Sequence, residues 1–419
     1  MINNHGTVAV SIFVLVYAII IAGSKSPRKL DKPAAALIGS VLLVLTGVLT
    51  KSEAQQAISL STITLLFGMM IVVYFSTSSG LLDSVARGIL RRCRTPRVLL
   101  AAVCASSAIL SALFVNDTIC LLMTPLVLNI TRRSGLHAEP YLIGLATSSN
   151  VGSVMTLTGN PQNMLIGQSS GWGWGAFALR MVPVGLVCLL INTALVTLIY
   201  RSQVTSGQIQ SVPENGSQIT LDRKMATKTI WVMAGLLVAF LAGMPMDLAA
   251  LTASTAILVL ANRPPEEAFA SVDWSLLLFF AGLFVVVAGI TKTQSHWIGV
   301  MVPGITHHPG SLSQLLKFSG VTIVGGNLFS NVPFVMLLRG WLIHAHHAKV
   351  LWLMLAAAST LAGNLTLLGS VANLIVAQKA KEECPLSFTA FLKVGVATTL
   401  LTTLASVLII WGYARAGWV

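Results

Sequence analysis

Between Asn116 and Gly167 an otherwise apolar chain carries three polar clusters. They read Asn116-Asp117-Thr118, Thr147-Ser148-Ser149-Asn150 and Thr158-Gly159-Asn160-Pro161-Gln162-Asn163. The apolar runs around them approach the length that crosses the hydrocarbon of a bilayer. Inside a bilayer, irregular polar backbone survives only where it is buried in protein or lines a cavity. A related set follows roughly 210 residues later, as Ser330-Asn331-Val332-Pro333, Gly363-Asn364 and Gly369-Ser370-Val371-Ala372-Asn373. Two such regions in one chain predict a solute site between internal repeats.

Composition fixes the class. Hydrophobic residues are 55% of the 419 and charged residues 9%, against roughly 25% charge in soluble domains. The chain reads as an all-α polytopic membrane protein whose first partner is the lipid bilayer. The net charge of +13 comes without a long basic block or a nucleic-acid motif, so no nucleic-acid partner is expected. Basic residues in short loops report topology instead. Cys93, Cys104, Cys120, Cys188 and Cys384 are too scattered for a zinc site or a disulfide framework, and no metal or other cofactor is expected. His344, His346 and His347 form an exposed outer segment on this reading, a metal or pH-sensing role being the alternative. No Walker A motif and no nucleophile–base or metal-ligand motif is visible, so the chain is not read as an enzyme. Its work must be driven by an ion or solute gradient, or by a separate soluble ATPase on the cytoplasmic side.

Apolar runs lie at Val8–Gly23, Pro33–Thr50, Leu60–Thr77, Trp174–Tyr200, Ile230–Gly243, Leu248–Leu260, Trp274–Ile290 and Phe388–Tyr413. The first lacks a basic start and reads as a retained span. Leu81–Arg92 is a short amphipathic piece for the interface. Arg97–Ile130 is interrupted at Asn116. It is flanked by Arg91, Arg92, Arg94 and Arg97 on one side and Arg132 and Arg133 on the other. A single span would place one basic cluster outside; a re-entrant hairpin keeps both inside. The resulting layout has about ten full spans plus two hairpins, in two inverted repeats. The first repeat, 1–200, holds a hairpin at 97–131 and a broken helix at 139–168. A cytoplasmic linker, 201–228, follows. The second repeat, 229–419, holds a hairpin at 312–348 and a broken helix at 350–379. Both termini fall outside a cell inner membrane. Leu65-Leu66-Phe67-Gly68 echoes Leu278-Phe279-Phe280-Ala281, and Gly159 and Asn163 echo Gly369 and Asn373.

Hairpin tips and broken helices expose free helix ends, which hold anions, oxygen-rich solutes or cations. Asn116, Thr118, Asn150, Gly159, Asn160 and Asn163 from the first repeat are candidate site residues. Asn331, Asn364, Thr366, Gly369, Ser370 and Asn373 supply the facing set. The competing reading is that these amides and hydroxyls hold helices together. Asp117 is an intramembrane carboxylate and the candidate for proton coupling; the bland reading makes it a helix N-cap. Its counterpart in the second repeat is Val332. None of the core motifs contains a basic residue, which suits a neutral solute.

These motifs resemble the ion transporter superfamily, nearest to the ArsB-type arsenite/antimonite permease branch, with silicon-efflux carriers and divalent-anion/sodium symporters as relatives. The resemblance rests on Asn116-Asp117-Thr118, on Ser149-Asn150-Val151-Gly152-Ser153, on Gly159 through Ile166, and on the second-half motifs. It implies a scaffold domain beside a transport domain of two opposed hairpins and two broken helices, and a homodimer is compatible with it. Related sodium-coupled carriers have Ser-Asn-Thr at the hairpin tip; Asn116-Asp117 departs from that. The coupling ion expected here is therefore H⁺ rather than Na⁺. The expected activity is secondary export of a small inorganic oxyacid, arsenite or antimonite. The rivals are a coupled sulfate or dicarboxylate carrier and a cation/proton antiporter.

Overall fold

The computed structural model describes residues 4–22, 31–90, 92–204, 221–301, 310–343, 345 and 348–419. Within them the chain is entirely helical, with no strand. The histidines at 344, 346 and 347, and most of the 201–228 linker, lie outside the described residues.

The first span is α1 (Asn4–Ala22), followed by α2 (Lys32–Leu45). Asp31 starts α2 by accepting the Ala34 amide hydrogen at 3.0 Å, and Pro33 in its first turn needs no donor there. A short α3 (Lys51–Ala57) is closed by a capping box between Thr50 and Glu53. Next come α4 (Leu60–Ser78) and α5 (Leu81–Leu90). The amphipathic α5 buries Leu82, Ala86 and Leu90, and pairs Asp83 with Arg87 one turn on.

The first interrupted run is two helices, α6 (Pro96–Leu113) and α7 (Asn116–Arg133), joined by Phe114 and Val115 and packed on each other. The broken helix is α8 (Glu139–Ser153) and α9 (Pro161–Ser169), and α10 (Trp174–Ile199) follows. Past the short α11 (Arg201–Val204), the second half begins with α12 (Arg223–Leu241), longer than expected because its first turn is the basic end of the linker. Then come α13 (Met246–Ala261), the short α14 (Pro265–Ala270) and α15 (Trp274–Met301). The second interrupted run is α16 (Leu312–Phe329) and α17 (Asn331–Leu342), with Ser330 as its entire turn. The second broken helix is α18 (Lys349–Ala362) and α19 (Val371–Ala380), and α20 (Phe388–Arg415) closes the chain. Each of the eight uninterrupted apolar runs thus corresponds to one helix and each broken run to one pair; among the described residues six helices, α4, α6, α10, α12, α15 and α20, are long and apolar enough to cross a membrane.

The helices form two packing groups. One is α1, α2, α4, α12, α13 and α15; the other is the two helical hairpins, the two broken helices, α10 and α20. Both groups draw on both halves of the sequence. In the first, α2 packs on α15 and α4 on α13. These pairs approach backbone to backbone. A Cβ on Gly68 would lie 2.8 Å from the Ala250 carbonyl carbon, and one on Gly282 would lie 2.9 Å from that of Ala36. Gly68 and Gly282, like Ala36 and Ala250, are 214 positions apart. The two contacts are therefore the same contact made twice. They correct the sequence register by one residue: Gly68 corresponds to Gly282, not to Ala281. The apolar echo misplaced it because Leu and Phe repeat on both sides of the true match.

Candidate solute site

The two broken helices are held open in the same way. The Asn163 side-chain amide donates to the carbonyls of Ser153 (2.9 Å) and Thr156 (3.0 Å). The Asn373 amide donates to those of Gly363 (2.8 Å) and Thr366 (3.1 Å). Each donates to two carbonyls that the interruption takes out of the regular helical ladder. The glycines of the breaks permit close approach: a Cβ on Gly159 would sit 2.5 Å from the Ser153 oxygen, and one on Gly369 2.9 Å from the Gly363 oxygen. Each hairpin tip leans on its break. The Asn116 backbone amide donates to the Gly159 carbonyl at 3.0 Å, and the Asn331 side chain to that of Gly369 at 3.2 Å.

Between the breaks the halves exchange reciprocal bonds. Asn160, which starts α9, donates to the Thr360 hydroxyl at 3.1 Å; Ser370, which starts α19, donates to the Asn150 side-chain oxygen at 3.0 Å. An offset of 210 maps Asn160 to Ser370 and Asn150 to Thr360, so this pair also obeys a pseudo-two-fold. Asn150 is the hub. Its oxygen accepts from Asn116 at 2.9 Å, and its amide donates to Asn364 (2.8 Å) and Asn373 (3.1 Å). Asn364 in turn donates to the Thr147 carbonyl at 3.2 Å.

Beside this network lies a cavity of ≈ 270 Å³, the volume of about nine waters at roughly 30 Å³ each. Of the expected site residues, Asn116, Asp117, Asn331, Gly369 and Ser370 reach its wall, and Val332 faces it as the counterpart of Asp117. Asn150, Gly159, Asn160, Asn163, Asn364 and Asn373 are buried behind the wall, as its support. Thr118 and Thr366 do not line it; Thr366 contributes its carbonyl to the break. Asp117 is not the N-cap of α7. That position is Val115, which offers no side-chain oxygen.

Three helices point uncapped amino ends at the cavity. No side chain caps α7, α17 or α19, whereas α9 is capped by Asn160 accepting from the Asn163 amide at 2.8 Å. At α7 the Asn116 amide is engaged by Gly159 and that of Thr118 by Val115; the helix dipoles and the remaining first-turn amides favour an anion or an oxygen-rich neutral solute. Ser330, at the second tip, has φ 68° and ψ 151°, a region almost confined to glycine, and holding it costs about 1–3 kcal/mol.

The sequence reading missed part of the wall. Gln162, Lys32, Asp273 and Ser275 all line the cavity. Gln162 stood inside a named motif, and its place in the first turn of α9 was the available signal. Lys32 corrects the expectation of a site free of basic residues. It lies at the start of a span, where a cation ordinarily marks topology.

Helices long and apolar enough to cross a membrane and two helical hairpins meeting two broken helices beside a cavity with charged and amide side chains on its wall together define a multi-pass secondary transporter. Residues 15–358 match the family model described as CitMHS, citrate transporter, and the chain belongs to that family. It is 30% identical to the silicon efflux transporter LSI3 of Oryza sativa subsp. japonica, over 89% of this chain and 91% of that one. It is 25% identical to a Dictyostelium discoideum protein that carries the name arsB, over 91% of this chain and 87% of that one. The YdaH transporter of Alcanivorax borkumensis, whose crystal structure is described as revealing an unusual topology, shares the fold. The TM-score is 0.56, with 14% identity and 99% of each chain covered.

Proposed function

We propose that this transporter exports a small inorganic oxyacid, arsenite or antimonite, in exchange for protons. The observation that carries the reading is the meeting of three uncapped helix amino ends in a cavity of ≈ 270 Å³. Near pH 7 trivalent arsenite is mainly a neutral trihydroxide. Backbone N–H groups donate to its oxygens, and Asp117 and the side chains of Asn116, Asn331 and Ser370 accept or donate around them. A neutral cargo needs no unbalanced buried cation. Silicic acid has the same chemistry, and the similarity to a silicon efflux carrier supports the class. Asp117, free of any capping duty, is the proton carrier. With the basic loops taken as cytoplasmic, the amino ends of α2 and α15 support a cavity mouth on the cytoplasmic side, with both chain termini outside.

A second reading is coupled carriage of a carboxylate anion. Lys32 on the wall favours it, as do the side-chain oxygens of Asn116 and Asn331, which are buried without a hydrogen-bond partner and suit a small cation. Uptake of labelled arsenite, citrate and sulfate into everted vesicles separates the two, with pH and Na⁺ gradients varied independently. Arsenite accumulation driven by a pH gradient without Na⁺ supports the first. Citrate or sulfate flux with no arsenite flux replaces it with the second.

A further inference from the structure

Lys32 and Asp117 reach one cavity from different packing groups. Lys32 is the first residue of α2, placed by the Asp31 cap and held by the close packing of α2 on α15 at Ala36 and Gly282. Asp117 is in the first turn of α7, at a hairpin tip. Asp273 comes from the start of α15, where it accepts the Leu276 amide hydrogen at 2.9 Å and is thereby fixed as a cap. These three are the charged side chains on the wall among the described residues. Lys32 and Asp273 are also the charged groups whose fields reach Asp117.

Among the described residues, the helices packed on α7 bring no other charge to its tip. Asp83 on α5 is paired with Arg87. Arg97 on α6, Glu139 on α8 and Lys379 on α19 sit at the helix ends remote from the tip and the breaks. Arg132 and Arg133 end α7 itself. One turn from Asp117, the thiol of Cys120 is buried. Lys32 and Asp117 are not in ion-pair contact; the ion pairs among the described residues lie elsewhere. A solute in the cavity therefore has a cationic donor on one packing group and a carboxylate on the other.

We infer that Lys32 is a site residue that positions the charge of Asp117 and the cargo: it balances the Asp117 carboxylate across the cavity and donates to the cargo oxygens. When Asp117 is ionised, Lys32 offsets one of the wall's two carboxylates, and the wall carries one net negative charge. When Asp117 takes a proton, the fixed carboxylate of Asp273 remains to balance Lys32. The cavity thus keeps a cation in every protonation state without ever holding it unbalanced. Because the two groups belong to different packing groups, any movement of the hairpins against α2 and α15 changes their separation, and with it the hold of Asp117 on its proton. This rests on the reading of Asp117 as proton carrier.

The test has two arms, on Lys32→Gln and Lys32→Arg in the full chain. In the first, the Asp117 carboxyl band is titrated by infrared difference spectroscopy on purified protein without cargo, assigned by its loss in Asp117→Asn. Lys32→Gln should move the band's midpoint to higher pH by about one unit, since a cation that favoured the ionised form is gone, and Lys32→Arg should restore it. An unchanged midpoint in Lys32→Gln overturns the inference, whatever the cargo. In the second arm, arsenite flux in proteoliposomes should show KM raised about tenfold or more in Lys32→Gln, with recovery in Lys32→Arg. Wild-type flux with unaltered KM in Lys32→Gln also overturns it. Absence of arsenite flux in the wild type refutes the proposed cargo instead, and leaves the infrared arm to decide Lys32. Lys32 is exposed at a helix start, and thermal melting of each variant confirms that it folds.

Discussion

The two broken helices can be read against each other residue by residue. What they share is architecture. Asn163 and Asn373 bind equivalent carbonyls, and Gly159 and Gly369 admit equivalent close contacts. What they do not share is chemistry. Asp117 faces the cavity where the second half has Val332, and Asn150 and Asn160 stand where the second half has Thr360 and Ser370. Lys32 corresponds to Met246, and Asp273 to Ser59, at the offset that relates Gly68 to Gly282. Repetition therefore marks the residues that keep a helix interrupted inside a membrane. Asymmetry falls on the cavity wall and on the bonds exchanged between the halves.

The largest effect should come from the shared residues. Asn163→Ala and Asn373→Ala each remove two hydrogen bonds to carbonyls of the break, at about 1–3 kcal/mol for an acceptor left unpaired. Both variants should lose thermal stability in detergent by similar amounts, with flux falling along with the amount of folded protein. A variant that melts like the wild type but carries nothing would instead make that asparagine a cargo ligand.

Asp117→Asn should do the opposite. It should fold normally and lose the dependence of flux on an imposed pH gradient in proteoliposomes. Gradient-driven flux equal to wild type would remove Asp117 from the proton path and leave the asymmetry of the tips without its proposed meaning.

A smaller effect is expected at the other repeated contact. Gly68→Ala and Gly282→Ala force a methyl against backbone and should each cost about 1–3 kcal/mol, read as matched shifts in melting temperature. Unequal shifts would show that the two packing pairs are less alike than their contacts suggest. The smallest change is a gain. Ser330→Gly relieves the positive φ of the second tip and should stabilise by about 1 kcal/mol, while the same substitution at Val115, whose φ is −67°, should not.

Much of this was legible in the sequence. Asn116, Gly159, Asn331 and Gly369 announced the interruptions, because polar and glycine residues amid apolar runs have no other tolerable place in a bilayer. The sequence could not tell wall from support. Asn163 and Asn373 look like ligands in one dimension, and only the geometry turns their amides onto neighbouring carbonyls. Lys32 and Asp273 were illegible for another reason. Charges at the ends of spans are ordinary, and nothing local says that α2 and α15 deliver theirs to a hairpin tip more than eighty residues away in the chain.

The crossed pairing of α2 with α15 and α4 with α13 also bears on how the molecule is made. When the first half leaves the ribosome, the faces carrying Ala36 and Gly68 have no mates. Those mates, Gly282 and Ala250, are still to be translated, which at roughly 5–20 residues per second takes several seconds. During that wait the small-residue faces lie against lipid, where they lose little because lipid is as apolar as a neighbouring helix. The nascent first half is thus a stable lodger in the membrane but an unfinished structure, and its assembly is a zipping of late helices between early ones.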